Sequence, residues 1–134
     1  MISIDEQTTL IYKAVNSSAL KSAITGEVEK NWGPTDSDKE NIVVVSITTD
    51  NSTDQRGITN VNIHVPNIVR NINEKDQELP DNKRFKELGD IAKTVLKSGF
   101  GANYNYWTES QQLLRNPNTG NWYLNFRIRF KYHN

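Results

Sequence analysis

Closely spaced acidic residues are the first candidates for chemistry in this sequence. The segment PTDSDKE offers Asp36, Asp38 and Glu40, and a D-x-D spacing opens calcium-binding loops. The full loop also needs a glycine at its sixth position and an acid at its twelfth, where this chain has Asn41 and Ile47. We therefore predict no metal site and interpret the cluster as a solvated loop.

A glycine pattern and the histidines are the other candidates. SGFGANY contains a G-x-G, but it follows a predicted helix, whereas phosphate sites place glycines at a helix N-terminus. We therefore predict that these glycines cap the helix. The sequence has no cysteine and only two histidines, and it indicates no nucleophile or carboxylate beside either. These patterns predict a protein that is not an enzyme and has no cofactor.

Charge and hydropathy limit the possible partners. Lys and Arg total 16, as do Asp and Glu, so no net field attracts nucleic acid or an acidic membrane. The N-terminal MISIDEQTTLIYK has no long apolar run, which predicts neither a signal peptide nor a membrane span. We expect an intracellular protein with no membrane partner and no sequence-specific nucleic-acid partner.

Polar and apolar residues alternate in the stretch NVNIHVP, which predicts a strand with one buried face. The apolar residues, expected to face the core, are Val61, Ile63 and Val65. The polar residues, expected on the opposite face, are Asn60, Asn62 and His64. A proline then ends the strand because it cannot donate to the sheet.

The closing segment WYLNFRIRFKY alternates in the same way and has an aromatic-rich core face. Its other face carries Tyr123, Asn125, Arg127, Arg129 and Lys131. If the preceding turn NPNTG is centred on Asn118, Glu109 lies opposite Arg127 and Trp107 lies opposite Arg129. This register predicts an ion pair and a cation–π contact across the two strands.

Three interpretations of this basic face remain open. It is a solvated sheet face, a nucleic-acid platform, or a protein-contact surface. A nucleic-acid platform requires more aromatic residues between the basic residues, and here only Trp107 and Tyr123 are aromatic. Arg, Tyr and Trp are favoured at protein interfaces.

The elements that position these residues follow from periodicity and turn residues. We predict helices over 4–16 and after Asp81, with a short helical turn and a short extended run between 17 and 32. Strands are predicted at 42–49 and 57–65 as a hairpin, then at 103–113 and from 121 to the end. Residues 66–80 are predicted to be an exposed, mobile loop.

These elements predict one α+β domain over residues 1–134. It has an antiparallel sheet of about four to five strands with two helices packed on one face. The predicted order is α-β-β-β-α-β-β.

The chain resembles a family of phage proteins along nearly its whole length. The segments that carry the resemblance are LIYKAVNSSALKSAITGEV, PTDSDKENIVVVSI, GITNVNIHVPNI and RFKELGDIAKTVL. They are similar to tail-completion or tail-terminator proteins of tailed phages and prophages. The resemblance implies a small non-enzymatic subunit at the head-proximal end of the tail, in the host cytoplasm and then in the virion. It also implies a ring oligomer, such as a hexamer, that contacts tail-tube or connector proteins.

A ring joins two different patches of each subunit, so we expect exposed loops and sheet faces to form the contacts. The candidates are the loop 66–80, the hairpin tip at 54–57 and the outward sheet face. The individual interface candidates are Arg56, Asn60, Asn62, His64, Trp107, Glu109, Tyr123, Asn125, Arg127, Arg129 and Lys131.

The alternative is a cavity-forming α+β ligand-binding domain, in which helices cover a curved sheet around a small-molecule pocket. The aromatic residues that could line such a pocket are Tyr104, Tyr106, Trp107 and Trp122.

Overall fold

A computed structural model describes residues 1–34 and 37–134 of the chain. Asp36, the first acid of the predicted loop, lies outside these residues. The helices are α1 (Ile4–Asn16), α2 (Ala19–Ala23) and α3 (Asn82–Val95). The strands are β1 (Val28–Lys30), β2 (Asn41–Thr49), β3 (Asp54–His64), β4 (Ile68–Ile72), β5 (Lys75–Leu79), β6 (Ser98–Phe100), β7 (Tyr104–Arg115) and β8 (Trp122–His133).

The main sheet contains six strands in the order β1-β2-β3-β8-β7-β6, and β4 and β5 form a second sheet. The predicted fold class, an antiparallel sheet of four to five strands with two helices, is therefore wrong, as is its element order. The main sheet is mixed because β1 pairs parallel to β2, while β2 and β3 form the predicted antiparallel hairpin. The described elements also include a third, short helix.

α1 is fixed to the sheet by buried polar groups as well as by apolar packing. Gln7 is fully buried and its Nε2 donates to Thr59 Oγ1 at 2.9 Å, while Thr8 Oγ1 donates to Ser46 Oγ at 2.7 Å. Gly57 lies directly beneath Gln7, where an added Cβ would overlap with Gln7 Oε1. A larger residue at this position would therefore displace the buried Gln7 amide from its place against the strand.

α3 packs on the same face of the sheet. The Asp81 side chain accepts from Arg84 N, as predicted for its N-cap, and Phe85 and Leu88 are buried. A Cβ on Gly89 would lie 3.1 Å from the side chain of Leu124. The neighbour of this glycine is therefore a side chain of β8.

Glu40 and the G-x-G glycines occupy different environments from those predicted. Asp38 is exposed, but Glu40 is only 7% exposed and pairs with Arg84, so the solvated-loop interpretation is wrong for Glu40. Gly99 belongs to β6 and lies beneath the ring of Tyr106, which an added Cβ would overlap. The prediction that these glycines cap α3 is wrong, because the helix ends earlier, at Val95.

Residues 68–79 form a β-hairpin, which we call the β4–β5 arm, and not the predicted loop. Asn73 and Glu74 close it with φ values of 52° and 65°, the left-handed conformation of a tight hairpin turn. Residues 69–78 are all exposed, as predicted for this segment. The tip of the β2–β3 hairpin lies at residues 50–53, so the predicted tip at 54–57 is part of β3.

Candidate protein-interaction surface

The sheet face opposite the helices, which we call the outer face, brings the predicted interface residues together. Cross-strand pairs of β3 and β8 place Asn60 beside Arg127, Asn62 beside Asn125 and His64 beside Tyr123. On the other face Val61 and Ile63 are fully buried and Val65 is 4% exposed. The predicted division of the NVNIHVP stretch into core and outer residues is therefore confirmed.

A β-bulge in β7 changes the predicted pairing of Glu109. Trp107 lies opposite Arg129 as predicted, but Ser110 pairs with Arg127 because the register shifts between Thr108 and Ser110. The bulge lets the Glu109 carboxylate reach both arginines, at 3.0 Å from Arg127 Nε and 2.5 Å from Arg129 Nη2. Hydrogen bonding from Arg129, supported by Arg127, holds the pKa of Glu109 below its usual range.

The predicted cation–π contact is not found. Within the described part of the chain, the aromatic contacts join His64 to Tyr123 and Tyr104 to Phe130, and none involves the Trp107 ring. Arg129 donates to Glu109 instead. Trp107 remains 38% exposed and available for a contact outside the chain.

Positive charge along β8 exceeds the negative charge that faces it. Arg127 and Arg129 share the single carboxylate of Glu109. Lys131 lies directly opposite Arg56 on β3, and neither has an ion pair within residues 1–34 and 37–134. Two like charges opposite each other oppose strand pairing. Two carboxylates lie at the same end of the sheet: Asp50 interacts with the charge of Arg56, and Asp54 pairs with His133.

The other end of the outer face is polar and aromatic. Asn125 is 8% exposed and its Nδ2 donates to Asn62 Oδ1 at 2.7 Å, so its amide is engaged within the sheet. The rings of His64 and Tyr123 stack with centroids 5.0 Å apart. Burial lowers the pKa of His64 below its ordinary value of 6.5. Among the described residues, no carboxylate or hydroxyl group hydrogen-bonds His64.

Because the pKa of His64 is lowered by folding, the unfolded chain binds a proton at this site more readily. The contribution of His64 to stability is present above pH 6.5 and is lost as pH falls through the folded-state pKa. We therefore expect the free energy of unfolding of the wild type to fall more between pH 7 and pH 5 than that of His64→Gln. Urea unfolding of both proteins across this range measures the difference. Equal pH dependence in the two proteins would contradict it.

The β4–β5 arm is the second exposed surface, and its two faces differ in charge. The cross-strand pairs Val69–Glu78 and Asn71–Asp76 form one face, which has two carboxylates and no cation. Opposite it lie the pairs Arg70–Gln77 and Ile72–Lys75, which have two cations and no carboxylate. Val69 is 61% and Ile72 45% exposed, so each face also presents an apolar side chain.

The acidic face of the arm could not be assigned residue by residue from the sequence, where this region is predicted only as a loop. One signal was present: in KDQEL the two acids are separated by one residue, a spacing that places both on one face of a strand. The surrounding segment lacks the apolar alternation that identifies a strand, since an isolated hairpin buries little of either face.

The aromatic residues of the alternative hypothesis do not line one cavity. Tyr106 is 8% exposed within the core, and Tyr104 stacks on Phe130 with centroids 5.6 Å apart. Trp107 lies on the outer face. An open groove of about 550 Å³ between α1 and the sheet is bordered by Leu10, Tyr104 and Tyr132.

Two further properties concern the described residues only. No group of three or more metal-ligating side chains occurs among residues 1–34 and 37–134. None of the helices in this part of the chain combines the length and apolar character that crossing a bilayer requires.

Comparison with known proteins gives no relative from which to infer a role. No protein-family model matches the chain, and no curated protein matches it significantly.

Proposed function

We propose that this protein is a non-enzymatic structural subunit of a phage or prophage tail, which forms a ring at the head-proximal end of the tail. The subunits of the ring contact one another and also contact tail-tube or connector proteins. The ring forms in the host cytoplasm before it joins the virion tail. The observation that carries this proposal is the β4–β5 arm, a hairpin exposed over residues 69–78. The resemblance in sequence supports the phage context.

The free energy of the arm as an isolated hairpin is unfavourable unless another protein chain binds to it. A two-stranded hairpin is only marginally stable in water, because it cannot bury an apolar face against a third strand or a helix. This arm also exposes Val69 and Ile72, and its strands have unpaired edges. Binding to another chain would bury these side chains and would stabilise the hairpin at the same time.

The arm and the outer face differ in composition and occupy different parts of the chain. Association through two different patches is heterologous, and it closes into a ring when the rotation between neighbouring subunits fits. One chain that carries both an arm and an exposed sheet face therefore has the parts that such a ring requires. The outer face offers Arg, Tyr and Trp side chains, which are enriched at interfaces between proteins.

The test is assembly with and without a phage tail-tube protein. We expect light scattering and negative-stain electron microscopy to show rings, alone or on the ends of tail tubes. A control variant in which residues 68–79 are replaced by a short Gly-Ser linker should stay folded and form no ring. A wild-type chain that stays monomeric and does not bind tail tubes would overturn the proposal.

A further inference from the structure

We propose that the acidic face of the β4–β5 arm of one copy binds the outer face of the next copy, along β8. This inference rests on the proposed function, since it names the two surfaces that would join in the ring. The arm residues involved are Val69, Asn71, Asp76 and Glu78. The residues of the outer face involved are Arg56, Trp107, Arg127, Arg129 and Lys131.

The charges of the two surfaces are complementary. The acidic face of the arm has Asp76 and Glu78 and no cation, and neither acid forms an ion pair within the described residues. The outer face has two arginines that share one carboxylate, and beside them the like-charged pair of Arg56 and Lys131. Asp54 already pairs with His133 at this end of the sheet, and carboxylates from a second copy would add an anionic partner for Lys131.

The spacing of the charges is also complementary. Asp76 and Glu78 are two residues apart on one strand, so their carboxylates repeat at about 7 Å. Arg127, Arg129 and Lys131 repeat at the same interval along β8 because they too are alternate residues of a strand. An arm laid along β8 can therefore place each carboxylate beside one cation without a change of register.

The apolar side chains on these faces fit the same arrangement. Val69 lies opposite Glu78 on the acidic face of the arm and is 61% exposed. Trp107 lies opposite Arg129 on the outer face and is 38% exposed. If Glu78 docks on Arg129, Val69 comes beside Trp107, so that an apolar contact flanks the row of charge pairs.

A nucleic-acid strand is the other polyanion that a basic sheet face could bind. The outer face is less suited to it, because a strand of nucleic acid also needs aromatic side chains on which its bases can stack. Only Trp107 and Tyr123 could stack on bases, and Tyr123 is already stacked on His64. The acidic arm, by contrast, is present in every copy of the chain.

Charge reversal of each surface tests the docking. In the arm variant, Asp76→Lys and Glu78→Lys are combined; in the sheet variant, Arg127→Glu and Arg129→Glu are combined. We expect each variant alone to lose ring formation, with self-association weakened at least about tenfold in sedimentation experiments. A mixture of the two variants should assemble again, since each reversed surface then meets a reversed partner and each unchanged surface meets an unchanged one.

A matched control separates a specific contact from a general change in charge. Lys83→Glu with Lys86→Glu reverses two exposed cations on α3, away from both surfaces, and should leave assembly unchanged. If the sheet variant does not fold, Arg56→Glu with Lys131→Glu gives the same reversal at residues that have no ion pair in the described chain.

The outcomes distinguish this inference from the proposed function. Rings that persist in both reversed variants would overturn the docking and leave the proposed function in place. Loss of single-stranded DNA binding in the sheet variant, with normal rings in the arm variant, would assign the outer face to nucleic acid and also overturn the docking. A wild-type chain that is monomeric with and without tail tubes would overturn both.

Discussion

Replacing Arg84 with methionine should lower the free energy of unfolding by on the order of 3 kcal/mol, because it leaves the carboxylate of Glu40 buried without a cation. Glu40 is 7% exposed, and both of its oxygens accept from the Arg84 guanidinium, with Nη2 2.8 Å from Oε1. The same Nη2 donates to the Ala23 carbonyl at 2.5 Å, so one side chain joins α3, the end of α2 and the start of β2. Hydrogen bonding to Glu40 raises the pKa of Arg84, which keeps the guanidinium charged throughout.

Two further variants show whether the unpaired charge of Glu40 causes the loss of stability. Adding Glu40→Gln to Arg84→Met should recover much of the stability, since the buried group is then neutral and can still accept from Thr25 N. Glu87→Gln removes the exposed partner of the same guanidinium and should cost less than about 1 kcal/mol. Chemical denaturation of the four proteins gives the comparison. A double variant no more stable than Arg84→Met alone would show that the charge is not the cause.

The Glu40–Arg84 pair shows why part of the fold could not be predicted from sequence. Glu40 follows two acids in a polar segment, which is the usual context of a solvated side chain. Its burial depends on a cation 44 residues away, on a helix that packs beside it only in the folded chain. The sequence pattern around Glu40 contains no information on a pairing with so distant a residue.

The strands show the same limit. β3 and β8 each have one face in the core, so their alternation predicted which residues lie on the outer face and which are buried. β4 and β5 have no buried face and β6 has three residues, and such segments show no period to detect. These three missed strands, with the separate helix α2, account for the wrong order of elements. β1 lies in the predicted short extended run, but three residues do not indicate the direction of its pairing, so the parallel pair at the edge of the sheet was not predicted.

The candidate surface was predicted in part because it depends on register. The turn after β7 sets a register one residue away from the predicted one, so Ser110 and not Glu109 pairs with Arg127. The bulge at Glu109, which no turn or apolar pattern marks, shifts the register back and places Trp107 opposite Arg129 as predicted. The ion pair survived this shift because an arginine side chain is long enough to reach along the strand.

Ile63→Asp should destabilise the protein more than Arg84→Met does and should leave the chain unfolded at room temperature. Ile63 is fully buried near the C-terminal end of β3, between Ile42 and Leu124 on the neighbouring strands. A carboxylate there loses its hydration and gains no cation, and the space left by the isoleucine is not refilled. The combined cost exceeds about 4 kcal/mol, which is a large part of the total stability of a domain of this size.

The control places the same charge three residues away on the same strand. Asn60→Asp lies on the outer face opposite Arg127 and nearly preserves the shape of the side chain, so we expect a change within about 0.5 kcal/mol. Ile63→Val, which removes one methylene and adds no charge, should cost about 1 kcal/mol. Far-UV circular dichroism and guanidinium unfolding distinguish the three variants.

The same three variants also test the placement of the outer face itself. A slip of β3 by one residue would move Ile63 to the outer face and Asn62 to the core, because successive side chains of a strand point to opposite faces. A folded Ile63→Asp protein with stability close to that of Asn60→Asp would therefore contradict the β3–β8 register. The arm-docking surface would then lose Arg56, which the same register places on the outer face opposite Lys131.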